Sequence, residues 1–534
     1  MLGTVVRLKT NLKYGGLIVT TSNLELSRSL LIGEHLRRAA HIAPEREAYI
    51  FGSERRTYRE SEIRALHLAG WMQENGIGYQ DKVGFMLVNG LPFIDVFFAT
   101  SLTGALGVPV NFRLTKDELV YIIGQSECKM LFVDQLFWPM IEAIRTQLQL
   151  VETIVVVNGD SSSATSYEEI YHQTSTYHPC NSLSGDDGAL IMYTSGTTGR
   201  PKGAVLTHQN MCMNGMNQVV TAGLSIEFKQ LLVAPLFHIA ALSTLLYPIN
   251  GTTVIHPQFN PEEVLKTIEK EKINFIFLAP TMWHMLVESP SIEQYDLTSL
   301  ERCAAGSAPI SLSLKEKIAK YFPNGKLRDP FGQTEMSPVT TCLQPEDSIR
   351  KNSSVGKPVA NVEVRVVDEN MNDVPLGDVG EIVYRGPTVM KEYYKNPEAT
   401  AEAFRGGWFH SGDLVRMDDE GFIYVVDRKK DMIISGGENI YPAEIEQVLN
   451  KHRKIVESAV IGAADEKWGE VVKGYIVLKS EETMTEEEVI SYCQEHLASY
   501  KKPGMVKFVE SLPRNASGKI VKTALRKDYA EAEK

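Results

Sequence analysis

Short apolar strands alternating with helical segments predict an α/β chain: a large N-terminal domain of two α/β subdomains plus a β subdomain, then a small α+β C-terminal domain. Three observations carry this expectation. Val83–Val88, Met130–Val133 and Thr153–Val157 are apolar runs bounded by turn residues, as buried parallel strands are. A second series of the same texture, Gln230–Ala234, Thr252–Ile255 and Phe275–Leu278, alternates with helical segments Ile239–Tyr247 and Pro261–Lys270. From Val362 onward the pattern changes, and Val362, Val364 and Val366 alternate with polar residues at the period of a half-buried strand.

Taken in order, residues 1 to 28 read as an irregular leader. Leu31, His35, Leu36, Ala39 and Ala40 then repeat at helical spacing, and Ala48–Phe51 follows as a strand. Arg64–Met72 and Phe93–Ala105 read as helices, the second leading into Gly107–Val110. Thr115 with Glu118 three residues on is a capping box that opens a helix ending at Gly124. Glu381–Tyr384 and Phe422–Val426 extend the β subdomain. The charged stretch Asp427–Asp431 marks the boundary, giving domains 1–429 and 430–534. The last unit reads β–α–β–β–α–β, its final helix opening at Thr485 with Glu488 completing another capping box. Glu486–Glu488 is then an acidic first turn that favours the helix dipole.

Composition narrows the function. At 534 residues and 43% hydrophobic content the chain can bury a large core, which excludes general disorder. Lys and Arg number 55 against 67 Asp and Glu, and a net charge of −12 repels nucleic-acid phosphate and anionic membrane surfaces. Six cysteines lie far apart with no CxxC pair, which argues for reduced thiols and against a zinc site or disulfide framework. The most apolar stretch, Phe93–Phe112, is broken by Asp95, Thr100, Thr103 and Asn111, so no segment reads as a membrane span. A cytoplasmic location is expected, and the oligomeric state, monomer or homodimer, is left open.

Chemistry concentrates in Tyr193-Thr194-Ser195-Gly196-Thr197-Thr198-Gly199-Arg200-Pro201-Lys202-Gly203, directly after the apolar run Ala189–Met192. Three glycines let backbone N–H groups turn inward, four hydroxyls add donors, and Arg200 and Lys202 add positive charge. Such a loop after a strand suits a polyphosphate, though its spacing is not that of a Walker A loop.

This segment resembles the phosphate loop of the adenylate-forming superfamily, and further motifs follow in the superfamily's order. Asp329-Pro330-Phe331-Gly332-Gln333-Thr334-Glu335 is similar to its Tyr-Gly-x-Thr-Glu block, and Trp408–Asp413 to its Thr-Gly-Asp block. Asp427–Asp431 with Ser435–Ile440 resembles its hinge and following loop, and Pro513–Ile520 its C-terminal lysine motif. The resemblance implies an AMP-forming acyl-CoA synthetase using ATP, Mg²⁺ and CoA. A carboxylate attacks the α-phosphate to give acyl-adenylate and pyrophosphate, and a thiol then displaces AMP.

It also implies roles. Thr194, Ser195, Gly196, Thr197, Thr198, Gly199 and Lys202 would hold the outer phosphates. Phe331, where the superfamily has Tyr, would stack on adenine, with Gly306, Ser307 and Ala308 on the other side and Asp329, Gly332 and Gln333 nearby. Thr334 would bond the α-phosphate, Glu335 would ligate Mg²⁺, Asp413 would hold the ribose, and Arg428 would contact the same ribose or the phosphate. Lys519 would reach the reacting phosphate and carboxylate. Lys430 would be the hinge of a mobile C-terminal domain, bringing Ser435, Gly436, Gly437 and Glu438 to the CoA side. His238 aligns with a substrate-side catalytic position.

The acyl pocket is assigned by the same resemblance to Phe237–Ala241, the helix around Met211–Val220 and Ala304–Gly306, with Met211, Met213 and Met216 as adaptable lining. No Arg or Lys occurs in Phe237–Leu246 or Cys303–Pro309 to neutralise a second carboxylate. A medium- or long-chain fatty acid is therefore expected. The alternatives are an aryl or dicarboxylic acid of coumarate or succinylbenzoate type, or acyl transfer to a carrier protein.

Overall fold

A computed structural model describes residues 12–14, 17–19, 28, 30–194, 200–226, 228–247, 250–465, 467–515 and 518–532. Backbone contacts divide the chain into two units: Met1–Thr194, Gly203–Val362 and Gly386–Thr400 in one, Ser195–Lys202, Glu363–Arg385 and Ala401–Lys534 in the other.

Two large sheets build the first unit. One has eight strands, in the spatial order Glu392–Tyr393, Lys202–Thr207, Gly188–Thr194, Leu106–Pro109, Lys82–Met86, Cys128–Asp134, Thr153–Val157 and Thr165–Ser166. From Gly188–Thr194 to Thr165–Ser166 every pairing is parallel. Its strands are apolar along their length because helices cover both faces, and Met86, Val108, Ile122, Leu131 and Trp138 share one core.

The other sheet has nine strands, ordered Lys357–Pro358, Val339–Leu343, Lys326–Gly332, Arg302–Ala305, Phe275–Leu278, Lys229–Leu232, Thr252–Ile255, Glu47–Phe51 and Glu54–Thr57. It is parallel from Lys326–Gly332 to Glu47–Phe51 and antiparallel at both edges. The early strand Glu47–Phe51 thus belongs with the second series, Tyr49 lying opposite Thr253. Such distant pairing leaves no local trace in a sequence.

The capping boxes at Thr115 and Thr485 form as expected, and two more occur at Thr57–Glu60 and Thr207–Asn210. Two details differ from expectation. Ile239–Tyr247 is a short helix, Ile239–Leu242, followed by a 3-10 turn, Ser243–Leu246. The leader contains a small antiparallel hairpin, Leu12–Tyr14 with Leu17–Val19. All six cysteines are free. Among the described residues no helix is long and apolar enough to cross a membrane.

The second unit holds an antiparallel sheet ordered Glu363–Val367, Gly380–Arg385, Phe409–Met417, Ile423–Arg428. Its C-terminal part corrects the β–α–β–β–α–β expectation at both ends. The opening strand is a hairpin, Ile433–Ser435 with Glu438–Ile440, and a further helix, Lys522–Ala532, follows the strand Met505–Phe508. That helix is largely charged and carries little apolar periodicity. Between them, helices Pro442–Leu449 and Glu486–His496 pack on strands Ile455–Asp465 and Gly469–Leu478 through Ile445, Val460, Val472, Ile476 and Val489.

Asp95, the charge that breaks the apolar helix Leu91–Thr103, explains how three helices are joined. It is 1% exposed, and its Oδ2 accepts from Arg56 Nη1 at 2.9 Å, Arg64 Nε at 2.9 Å and the Tyr167 hydroxyl at 2.7 Å. One carboxylate therefore binds helices Tyr58–Glu74, Leu91–Thr103 and Tyr167–Ile170. Asp95→Ala would leave Arg64 without a carboxylate and Arg56 with only Glu54, and is predicted to cost about 3 kcal/mol. Thermal unfolding of the first transition measures this, and a cost below about 1 kcal/mol would contradict the assignment.

Candidate active site

The first unit's share of the site grows from the strand Lys326–Gly332. It runs parallel to Arg302–Ala305 and antiparallel to Val339–Leu343, with a register shift between Phe331 and Gly332. A Cβ at Gly332 would collide with the Pro338 carbonyl, so only glycine allows this close return of the chain. Thr334–Met336 then forms one 3-10 turn, and Thr334 and Glu335 are half-buried there. The main-chain oxygen of Glu335 accepts from Met390 N–H at 2.7 Å, and its Oε1 accepts from the Tyr393 hydroxyl at 2.9 Å. Tyr393 belongs to no motif, and nothing in the sequence singles it out.

The neighbouring strand Arg302–Ala305 ends at Gly306, where a Cβ would lie 3.0 Å from the Pro330 carbonyl oxygen and 3.1 Å from the Phe277 ring. Glycine thus lets Gly306-Ser307-Ala308 lie close to the strand bearing Phe331. Ser307 adopts a left-handed backbone, φ 72°, and Ser307 and Ala308 are exposed. The structure therefore brings together Gly306, Ser307, Ala308, Asp329, Phe331, Gly332, Gln333, Thr334 and Glu335 at the carboxyl ends of two adjacent parallel strands, the usual place for ligands in such sheets.

Beneath this strand lies a residue that sequence reasoning missed. Lys315 is fully buried on helix Leu312–Tyr321, and its Nζ donates to the Ser348 and Asn352 carbonyls at 3.2 and 3.3 Å. It also stands 3.7 Å from Asp329 Oδ2. Burial draws the Lys315 ammonium down, with Asp329 opposing. Burial likewise pushes the Asp329 carboxyl up to about 6, against the pull of Lys315. A lysine on an otherwise amphipathic helix reads as solvated, which is why the sequence hid it.

On the acyl side the expectations are met only in part. Phe237 is buried and meets Phe112 edge to face at 4.9 Å. His238 is the N-cap of Ile239–Leu242, its Nδ1 accepting from Ala240 N–H at 3.4 Å. The methionines do not gather: Met211 is buried, Met213 half-buried and Met216 exposed. Helix His208–Ala222 instead buries His208, Asn210, Asn214 and Asn217. Asn214 Oδ1 accepts from Val339 N–H at 3.2 Å and Asn217 Oδ1 from Asn361 Nδ2 at 3.0 Å. Thr194 ends one strand and Lys202 begins another, while Ser195, Gly196, Thr197, Thr198 and Gly199 lie outside the described residues.

The second unit places Asp413 opposite Arg428 on adjacent strands, with Arg428 Nε 2.7 Å from Asp413 Oδ1. Asp413 is buried, whereas Arg428 is exposed. Lys430 is drawn down by loss of water and by the charges of Arg428, Arg526 and Lys519, with Asp431 opposing. Lys519 is exposed; its N–H donates to Asn515 Oδ1 and its carbonyl accepts from Asn515 N–H, both at 2.9 Å. Gly518, just before it, has a left-handed backbone, φ 82°. Gly436 and Gly437, at φ 58° and 88°, form the two-residue turn between Ser435 and Glu438, so backbone geometry by itself requires both glycines.

A sequence model described as AMP-binding enzyme matches residues 36–394, and one described as AMP-binding enzyme C-terminal domain matches residues 444–519. The chain belongs to the AMP-binding enzyme family. Within that family it is 36% identical to a feruloyl-CoA synthase of Amycolatopsis over 496 residues, 92% of this chain and 98% of the relative. It is also 36% identical to the long-chain-fatty-acid–CoA ligase FadD13 of Mycobacterium tuberculosis over 505 residues, 93% and 98% of the two chains. A solved o-succinylbenzoate CoA synthetase of Bacillus subtilis, in complex with ATP and magnesium ion, superposes with a TM-score of 0.81 at 30% identity, covering 93% and 99%.

The Lys315–Asp329 pair yields a test of how the strand Lys326–Gly332 is supported. Lys315→Met would leave a buried carboxylate without its cation and is predicted to cost about 3 kcal/mol. Adding Asp329→Asn should restore at least half of the lost thermal stability. Equal losses in the single and double variants would show that the pair does not support this strand.

Proposed function

We propose that this chain, an AMP-forming acid–CoA ligase that uses ATP, Mg²⁺ and CoA, takes a medium- or long-chain fatty acid. A carboxylate resists thiol attack because its leaving group would be oxide, and ATP supplies AMP as a better one. The acid's oxygen bonds to the α-phosphorus and pyrophosphate leaves; the CoA sulfur then bonds to the acyl carbon and AMP leaves.

In this reading Phe331 stacks on adenine over Gly306–Ala308, and Asp413 with Arg428 accepts and donates to the ribose. Thr334 bonds the α-phosphate, and Lys519 offsets charge that develops there during adenylation. Lys430 is the pivot between domains 1–429 and 430–534, and Ser435–Glu438 serves thioester formation. Glu335 fits a hard cation: it is a half-buried carboxylate oriented by Tyr393, and Mg²⁺ commonly takes one or two carboxylates together with phosphate oxygens and water.

One observation favours a fatty acid. Ala304 packs in an apolar cluster with Phe228, Tyr247 and Phe275, flanked by Val219, Leu224 and Phe277. The cations flanking it, Arg302 and Arg328, donate to the Ala222 and Thr221 carbonyls at 3.2 Å. Their Nε groups close the end of helix His208–Ala222. A different observation favours an aryl or dicarboxylic acid. Asn214 Nδ2, Asn217 Nδ2 and Arg328 Nη1 are buried without a hydrogen-bond partner among the described residues, and would suit an oxygenated substrate.

Pyrophosphate release and thioester formation with acetate, octanoate, palmitate, coumarate, malonate and succinylbenzoate, each with and without CoA, decide between them. The fatty-acid reading predicts CoA-dependent thioester from octanoate or palmitate with kcat/KM about tenfold or more above the aryl and dicarboxylic acids. The reverse order would establish the second reading.

A further inference from the structure

The segment carrying Asp413 departs from regular pairing. Strand Phe409–Met417 lies beside Gly380–Arg385 with His410 opposite Val383 and Leu414 opposite Glu381. Ser411, Gly412 and Asp413 therefore share the space opposite Ile382. Such a bulge lifts backbone groups out of the ladder and re-aims the side chains it carries. Gly412 makes it possible with φ 72°, a conformation cheap only for glycine.

Side chains take over the work of the missing ladder. Asp413 N–H donates to Ser411 Oγ at 2.9 Å, and the Ser411 hydroxyl donates to the Ile382 carbonyl at 2.6 Å. Gly412 N–H donates to Glu381 Oε1 at 3.1 Å. Glu381 is 6% exposed, and its Oε2 lies 3.1 Å from His410 Nδ1 and 3.2 Å from Lys429 Nζ. Burial pushes the Glu381 carboxyl up, but the His410 hydrogen bond and the Lys429 charge together hold it below its ordinary value. Lys429 N–H in turn donates to the Gly412 carbonyl at 2.9 Å, and the second His410 ring nitrogen lies 3.1 Å from the Arg405 carbonyl.

We propose that Glu381 is a positioning residue for the ribose-binding carboxylate. Through Gly412 N–H it sets the direction in which the bulge presents Asp413, and through Lys429 it ties that direction to the residue before Lys430. The proposal rests on Asp413 being the ribose acceptor. A carboxylate has about four acceptor positions, enough for Arg428 and two vicinal hydroxyls together. The position of Glu381 needs a charge, because a glutamine there would set its amide N–H₂ against another donor in either orientation.

The test compares binding of Mg²⁺–ATP and Mg²⁺–2′,3′-dideoxy-ATP to the full chain by calorimetry. In the parent chain, loss of both hydroxyls weakens binding about tenfold or more, because hydrogen bonds to a charged group are strong. Glu381→Gln is expected to bring the two nucleotides within about threefold of each other. A residue that merely supports the fold would weaken both nucleotides together, and an unchanged ratio would overturn the proposal. Lys429→Met removes one half-exposed partner and should lower the ratio by about twofold or more. If Glu381→Gln does not fold, Lys429→Met decides, and an unchanged ratio there is fatal to the proposal. Asp413→Ala separates the two readings. If it leaves the ratio intact, the ribose assignment itself fails; if it collapses the ratio while the other variants do not, only the role of Glu381 fails.

Discussion

The strand Lys326–Gly332 can carry Phe331 and deliver Thr334 and Glu335 only because Gly332 lacks a side chain, since a Cβ there would run into the Pro338 carbonyl. That close return converts a parallel strand into the first arm of an antiparallel pair, with Phe331 opposite Thr341. It turns the chain within a few residues and holds Glu335 against Met390 and Tyr393. The neighbouring Gly306 makes a similar approach to Pro330. Two glycines thus bring main chain close to main chain where a flat nucleotide base would need a narrow slot.

Buried carboxylates form the second theme. Asp95, Asp329, Glu381 and Asp413 each stand beside at least one cation: Arg56 and Arg64, Lys315, Lys429, and Arg428. An isolated buried charge is costly, so each acid has to be accompanied to remain ionised. These pairs do different things. Asp95 joins helices, Lys315 ties Ser348 and Asn352 to the strand Lys326–Gly332, and Glu381 replaces ladder bonds at a bulge. None involves residues adjacent in sequence.

That separation explains what could be read from the sequence and what could not. Local signals were legible: apolar strand runs, the Thr115 and Thr485 capping boxes, and the ordered motifs that mark the family. Long-range pairing was not, which is why Glu47–Phe51 joined an unexpected sheet and why Lys315, Glu381 and Tyr393 went unnoticed. The three methionines expected as acyl-pocket lining differ in burial for a plain geometric reason. Met213 and Met216, three apart, lie toward the half-buried and exposed side of their helix, while Asn214 and Asn217, also three apart, share its buried face with Met211. Gly436 and Gly437 also fill a local need, since the hairpin turn between Ser435 and Glu438 takes positive φ at both.

The central claim is that the acid is activated by bonding its own oxygen to the α-phosphorus of ATP. The most direct measurement uses an accepted acid labelled with ¹⁸O in both carboxylate oxygens and follows the label by mass spectrometry after one turnover with CoA. The account predicts AMP carrying one ¹⁸O and unlabelled pyrophosphate. Label in orthophosphate, with ADP in place of AMP, would contradict it.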